Sequence, residues 1–409
     1  MRILHFMNAS LSIDQLQRGG AALQSGGGWM ASLLSHLLEK TDYKLAAVSF
    51  GPTRRIISAY SDRISTVVIP EKWRATREGL CACRDIVNEW KPDIVHVHGT
   101  EEAYGLLSAR GMITYPVVIS LQGLVGPYSE WYHYFGNNRI NEIIRMHRWL
   151  EIPALRGELI SFLKFRMKAK REQEIITNNK YFIGRTAWDR AYVHALNPSA
   201  VYYYGGEILR KPFWNNHWRL ENIHRHRIIF TNAGHPRKGT DLLLRSAKLL
   251  LTDYPDLQIR IAGNISKRNG YGRYIRRKFQ KFGNNVFELG PLNAEQMAEE
   301  LSTSHIFVSP SFIDNSPNAV CEAQLIGMPV ISTYTGGVPS LIDDGHTGLF
   351  IPTGDAPMLA AKIREVFKND ELAIGLGNSA REVAVRRHDP DKIIFDTIAT
   401  YKDILKEKA

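Results

Sequence analysis

Short apolar runs alternate with helix-period segments along most of this chain, and that alternation leaves few folds open. The clearest repeat lies near its C-terminal third. Ile306-Phe307-Val308 reads as a buried strand, Cys321 to Ile326 as a short helix closed by Gly327, and Met328 to Ser332 as the next strand. Strand, helix and strand in that order build a parallel sheet covered by crossover helices, the α/β class. The chain opens the same way. Met1 to Phe6 is a first strand, and Gly26-Gly27-Gly28 leads into an amphipathic helix from Trp29 to Leu38. Lys44 to Phe50, Asp93 to Gly99 and Val117 to Gly123 supply further strands. With 409 residues there is room for two such domains with separate cores. The boundaries read as 1–204 for the first, 227–387 for the second, and 388–409 for a C-terminal helix. The stretch 205–226, aperiodic and rich in aromatics, Asn and His, reads as a linker.

Asp314 and Glu322 stand eight positions apart across one of these strand-to-helix passages. Asp314 falls on the loop after a strand end, and Glu322 on the expected first turn of the following helix. In open α/β sheets ligands bind at that edge, outside the carboxyl ends of the strands. A carboxylate accepts hydrogen bonds from two neighbouring hydroxyls at once, which suits a sugar or a ribose. On spacing alone the commoner reading is simpler: two carboxylates stabilised by the positive end of a helix.

Neighbouring residues change the balance. Pro310, Ser311, Glu322, Ala323, Gly327, Pro329 and Val330 match the donor-site motif of glycosyltransferase family 4, the retaining enzymes of GT-B fold, and the segment resembles that motif in spacing as well. Asp314 stands where the family has its first glutamate, one methylene shorter, and Asn315 where it usually has glycine. Downstream, Thr335-Gly336-Gly337-Val338-Pro339 resembles the family's glycine pair before a helix, and Asp344 to Phe350 its next conserved-looking segment, with Ser340 in place of a frequent glutamate. Upstream, Ile228-Ile229-Phe230 and Gly234-His235-Pro236-Arg237-Lys238-Gly239 resemble the first strand and loop of the same domain. The family's diphosphate-contacting lysine maps onto Lys238. Its partner arginine is missing, since Asn232 and Ala233 occupy that region, and Arg237 or His235 are the candidates to substitute. In the first half, the glycine loop at Gly26–Gly28, the Asp93-to-His98 segment and the strand ending at Gln122 resemble family features. Many members have histidine at the Gln122 position; glutamine can hold a hydroxyl but cannot act as acid or base.

The resemblance implies two doubly wound Rossmann-like domains facing a central cleft, with the C-terminal helix crossing back to the first. It implies transfer of a sugar from a nucleotide-diphosphate donor to a hydroxyl acceptor, with retention. Lys238, Asp314 and Glu322 would carry catalysis, Glu322 holding the ribose. Gly27, Gly28, Arg237, Asn315, Ser316, Pro317, Asn318, Gly336 and Gly337 would bind donor, and His98 and Gln122 would face the sugar and acceptor. Free amides of the glycine pair would meet the phosphates. No cofactor or metal is expected: no Asp-x-Asp pair is placed to clamp a divalent ion, and His96 with His98 has no evident third ligand in the sequence. A nucleotide-sugar epimerase of the same fold and a non-catalytic sugar or polyanion binder are the alternatives. Assembly of a bacterial surface polysaccharide, on a lipid-linked or polysaccharide acceptor, is the expected setting.

Charge bears on the partner. The formal net charge of +11 favours an anionic surface. Tyr128, Trp131, Tyr132, Tyr134 and Phe135 form an aromatic cluster. A helix-period stretch follows, with Leu155, Leu159, Phe162, Leu163 and Met167 on one face and Lys164, Lys168 and Arg171 on another. Such a stretch suits the anionic inner face of a cytoplasmic membrane, or simply a core helix with a solvated basic side. The basic run Lys267, Arg268, Arg273, Arg276, Arg277, Lys278 and Lys281 reads as a solvated helix face; no nucleic-acid motif accompanies it. Three cysteines make no disulfide framework and point to a reducing compartment. The first residues read as a strand and not a signal peptide, and no apolar run is long enough to span a bilayer. A cytoplasmic enzyme, peripheral at the membrane, is the expectation.

Overall fold

The computed structural model describes residues 1–17, 28–130, 152–267 and 270–407. The chain forms two compact units. One comprises Met1–Gly126, Met167–Arg210 and His388–Ala409; the other comprises Pro127–Arg166 and Lys211–Arg387. The sequence boundaries differ from this division chiefly in placing Pro127–Arg166 with the first domain.

The first unit is built on an eight-stranded sheet. Its strands are β1 (Arg2–Met7), β2 (Lys44–Gly51), β3 (Ile57–Tyr60), β4 (Ile64–Pro70), β5 (Ile94–His98), β6 (Val117–Ser120), β7 (Tyr181–Gly184) and β8 (Val201–Tyr204). They run in the order β3-β4-β2-β1-β5-β6-β7-β8, all parallel except β3 on β4. Alternate residues serve opposite faces. Leu4, Phe6, Val95 and Val97 join one core, while Ile3, Met7 and Ile94 join another with helix Gly28–Lys40. Burial on both faces is what near-continuous apolar strands require. Helix Pro390–Lys406 belongs to this unit and buries Ile393, Ile394, Tyr401 and Ile404 in the second of these cores.

The second unit carries six parallel strands in the order β11-β10-β9-β12-β13-β14. These are β9 (His224–Thr231), β10 (Gln258–Ala262), β11 (Val286–Gly290), β12 (Ser304–Ser309), β13 (Val330–Thr333) and β14 (Leu349–Ile351). Strand order reverses between β9 and β12, so the loops after these two strands part and leave a crevice at their carboxyl ends. The loop after β9 holds Arg237 and Lys238, and the loop after β12 holds Asp314.

Two details depart from the sequence reading. The helix after β12 spans Asn318–Ile326 and starts after Pro317, so Glu322 is its fifth residue and sits beyond the first turn. Pro317, which cannot donate to a preceding turn, sets the earlier start. The stretch 205–226 is not a loose connection. Phe213 and Trp218 are buried, and the Trp218 indole N–H donates to the Ser304 carbonyl at 2.8 Å. Large aromatics bury well without any periodicity, which is why the pattern reads as unstructured. Among the described residues no helix is long and apolar enough to cross a membrane.

Candidate active site

In the second unit three loops are stapled together by backbone hydrogen bonds. The Phe312 amide donates to the Arg237 carbonyl at 2.7 Å, tying the loop after β12 to the loop after β9. The Gly337 amide donates to the Asp314 carbonyl at 3.0 Å, tying in the loop after β13. Glycine is required where the loops touch. Gly239 has φ +78°, and a Cβ there would lie 1.9 Å from the Pro310 carbonyl oxygen. Gly336 has φ +51°, and its Cβ would meet the Asp314 carbonyl oxygen at 2.0 Å. The motif glycines thus serve close backbone approach. One expected role changes: the Gly337 amide closes this turn and is not free to meet a phosphate.

The staples bring charged side chains together. Lys238 forms an ion pair with Asp314 Oδ2, and the Ser311 hydroxyl donates to the same oxygen at 3.3 Å. Asp314 is buried. Burial alone would raise its carboxyl, yet the charges of Lys238 and then Arg237 outweigh it and hold the group below the usual carboxylate range. The Lys238 ammonium is lowered, first by burial and also by Arg237, against the pull of Asp314. Nη1 of Arg237 is buried with no hydrogen-bond partner among the described residues. His235 is held near 4 by burial and by these two cations, so it is neutral at neutral pH. Of the two candidates to replace the missing arginine, only Arg237 carries charge. The local sum is two cations against one carboxylate, with one guanidinium nitrogen left over. Half-buried cations with one such nitrogen unpartnered fit an anionic ligand.

Around this centre Asn315, Ser316 and Glu322 are buried, and Pro317 and Asn318 are half-buried. One further residue reaches it that the sequence reading assigned elsewhere. Tyr128, in helix Val125–Glu130, is buried and not free to meet a membrane. The Asn315 amide donates to its hydroxyl oxygen at 2.9 Å, and the hydroxyl faces Asp314 Oδ1 at 3.4 Å. The Arg237 guanidinium lies over its ring, 4.5 Å from the centroid. No spacing rule links positions so far apart in the chain.

In the first unit, Gly28 opens the helix Gly28–Lys40, while Gly27 lies outside the described residues. His98 is fully buried, with Nε2 at 3.0 Å from Nδ1 of His5 and its ring edge-on to Trp29. The register of β1 against β5 sets His5 opposite His96, so a third imidazole does join the pair seen in the sequence. Both ring nitrogens of His96 are already engaged, by Tyr401 at 2.7 Å and Ser120 at 2.6 Å. A metal would have to displace one of them. Gln122 lines a cavity of about 30 Å³ with Trp29, His96, Arg185 and Glu207, room enough for ordered water. The sequence reading also missed two acids near the ends of β5 and β6. Glu101 is raised to about 7 by burial first, with added repulsion from Glu172 and Glu102. Glu172, also raised by burial, accepts the amides of Val125 at 2.9 Å and Gly126 at 2.7 Å.

Comparison with known proteins falls on the same crevice. Residues 215–383, which span the loops of the second unit described above, match the family of glycosyl transferases group 1. D-inositol 3-phosphate glycosyltransferase of Streptomyces coelicolor is 28% identical over 161 residues, covering 37% of this chain and 35% of the relative. N-acetyl-alpha-D-glucosaminyl L-malate synthase of Bacillus anthracis is 29% identical over 113 residues, covering 28% of this chain and 30% of the relative. The matched region is therefore about a third of the length of these relatives. Solved structures extend the likeness in fold to the whole chain. Sucrose-phosphate synthase from Thermosynechococcus elongatus superposes with a TM-score of 0.71 at 16% identity, covering 99% of both chains. HepE of Anabaena, in complex with UDP and glucose, gives 0.69 at 12% identity, covering 98% of this chain and 100% of that one. Two parallel-sheet Rossmann-like units of this kind are the GT-B architecture.

Proposed function

We propose that this protein is a glycosyltransferase of the group 1 kind, moving a sugar from a nucleotide-diphosphate donor to a hydroxyl acceptor, with retention at the anomeric carbon. The observation that carries the reading is the half-buried pair of cations, Lys238 and Arg237, beside Asp314 at the strand-order switch, with a buried Arg237 nitrogen left unpartnered among the described residues. Glu322 holds the ribose hydroxyls, and Asp314 with the Asn315–Asn318 loop holds the donor sugar. As the bond from the anomeric carbon to the diphosphate oxygen breaks, negative charge grows on the leaving group, and the two cations stabilise it. Fixed donors aimed at developing charge are commonly the largest catalytic term. The acceptor oxygen bonds to the anomeric carbon on the face the diphosphate leaves, and its proton passes to a departing phosphate oxygen. Lysine and arginine do here what a divalent ion does elsewhere, so turnover is expected to persist in chelator.

A lipid-linked or polysaccharide acceptor, met at an anionic membrane face, extends the reading. Helix Ile152–Thr177 supports it by exposing Ile160, Leu163 and Met167 beside the exposed Lys164, Arg166 and Lys170. Assembly of surface polysaccharide is the matching setting.

The test is nucleoside-diphosphate release from UDP- and GDP-sugars, with and without candidate acceptors. Release that requires acceptor supports the transferase. Interconversion of the donor sugar without acceptor would establish an epimerase instead, and donor binding without turnover a binding protein.

A further inference from the structure

Tyr128 stands in a position that the proposed donor sugar needs. Its hydroxyl accepts from the Asn315 amide at 2.9 Å and faces Asp314 Oδ1 at 3.4 Å, while Lys238 and Ser311 take the other carboxylate oxygen. Asp314 and Asn315 are thereby buried and satisfied. A phenol and a sugar hydroxyl present the same inventory, one donor and two lone pairs. Accepting from an amide while donating to a carboxylate is the pattern a sugar hydroxyl would make at this spot. Both cannot be there at once.

We propose that Tyr128 is a specificity-determining residue: its hydroxyl fills the sugar-hydroxyl subsite at Asp314 and Asn315 until a donor sugar with a hydroxyl at that position replaces it. This rests on reading the crevice as a donor site. A nucleoside diphosphate lacking the sugar has nothing to exchange for the phenol and leaves it in place. A sugar deoxygenated at that position would have to expel the phenol and leave the Asn315 amide and Asp314 unpaired, which the site penalises. The ring, stacked under Arg237 at 4.5 Å, keeps the phenol poised to return when the sugar departs.

Tyr128→Phe removes the hydroxyl and keeps the ring, so it separates competition from packing. Removing a competitor that holds most of the population raises apparent affinity by the fraction released. One hydrogen bond's worth corresponds to about 2- to 10-fold. Calorimetric titration with UDP, UDP-glucose, GDP and GDP-mannose reads the effect. Tyr128→Phe is expected to bind the accepted nucleotide sugar about 2- to 10-fold more tightly, with nucleoside-diphosphate affinity changed less than about twofold. Unchanged or weaker sugar-nucleotide binding, with nucleoside-diphosphate binding intact, overturns the proposal and leaves the donor site standing. A wild-type protein that binds neither class overturns both. Wild type carrying 3-fluorotyrosine gives a readout that does not depend on the variant folding. The Tyr128 fluorine resonance is expected to shift further with nucleotide sugar than with nucleoside diphosphate, which reaches it only through Arg237; an identical response to both overturns the proposal.

Discussion

At the scale of residues, the donor crevice divides into what binds and what reacts. Glu322→Ala removes a buried carboxylate proposed to hold the ribose. Loss of a charged hydrogen-bond partner costs about 1.5–3 kcal/mol, so nucleoside-diphosphate affinity should fall about 10- to 150-fold. Asp314→Ala should lower turnover more than it weakens nucleoside-diphosphate binding, because the sugar alone depends on it. Calorimetry and steady-state rates on the same two variants check both outcomes; a fully active, folded Glu322→Ala protein would sink the assignment. The motif from Pro310 to Val330 was legible because its chemistry is carried by neighbours along the chain. The ion pair of Lys238 with Asp314 and the hydroxyl of Tyr128 were not, because they arise between positions 76 and 186 residues apart. The Arg237 nitrogen without a partner among the described residues, which favours Arg237 over His235 in the proposed site, is visible only once burial is known.

At the scale of elements, loops held by glycine and one basic helix make separate claims. Gly239 and Gly345 share nearly the same left-handed backbone, φ +78° and φ +76°, but only Gly239 has a backbone oxygen where a Cβ would go. Alanine at either position bears the conformational cost, about 1–2 kcal/mol. Gly239→Ala adds a clash that must pull apart the loops bearing Lys238 and Asp314. Urea unfolding should show it the more destabilised of the two, with the larger loss of donor binding. Equal effects would mean the loop contact is slack. The helix from Ile152 corrects its own sequence reading. Lys168 lies 3.9 Å from Glu102, and Arg171 is bonded to the Glu101 carbonyl, so both are tied inward. Lys164, Arg166 and Lys170 are the charges left for a membrane. Each contributes about 1 kcal/mol near an anionic surface, roughly fivefold in binding, screened over a Debye length of ~8 Å. Co-sedimentation with anionic vesicles should therefore fall with salt, and fall further when these three become Glu. A protein that ignores such vesicles at low salt would point to a soluble acceptor. Periodicity did not tell which residues of this helix face protein: Leu163 and Met167, expected on its apolar face, are exposed beside Lys164 and Lys170.

For the whole molecule, buried imidazoles predict acid sensitivity. His5 is held near 3, His235 and His305 near 4, and His96 and His98 well below 6.5, burial being the first cause in every case. A histidine depressed in the folded state contributes full stability above its unfolded value of about 6.5. It loses that stability as pH falls toward its folded value, at about 1.4 kcal/mol per pH unit. Glu101, raised to about 7, and Glu172, also raised, act with the opposite sign and gain stability as pH falls toward the unfolded value near 4.5. Both acids are in the first unit, where they offset much of the loss from its three histidines. The second unit has His235 and His305 with no raised acid resolved against them among the described residues. Hydrogen exchange in urea at pH 7.0 and pH 5.5 should thus show the second unit losing about 1–2 kcal/mol in all between the two pH values, most of it from the buried His305, and the first unit less. A flat profile in the second unit would contradict the burial of His305. The two-domain α/β plan was legible from the strand and helix alternation, since each apolar run is long enough to name its element. The place of Tyr128 beside Asp314 was not, because no local pattern links positions so far apart in the chain.

The first unit is assembled from three separated stretches of chain, and that has a consequence for its birth. Helix Pro390–Lys406 seals the face that holds Ile3, Met7 and Ile94, and its Tyr401 hydroxyl meets His96. On the ribosome those residues emerge only after every residue of the second unit has been made. The earlier-synthesised domain must therefore wait, with an apolar face open, while the later one completes its own sheet. For that interval the nascent protein is a natural client for a chaperone. A stop codon at position 388 would make the wait permanent, and the N-terminal half, although fully translated, would be the part the cell degrades.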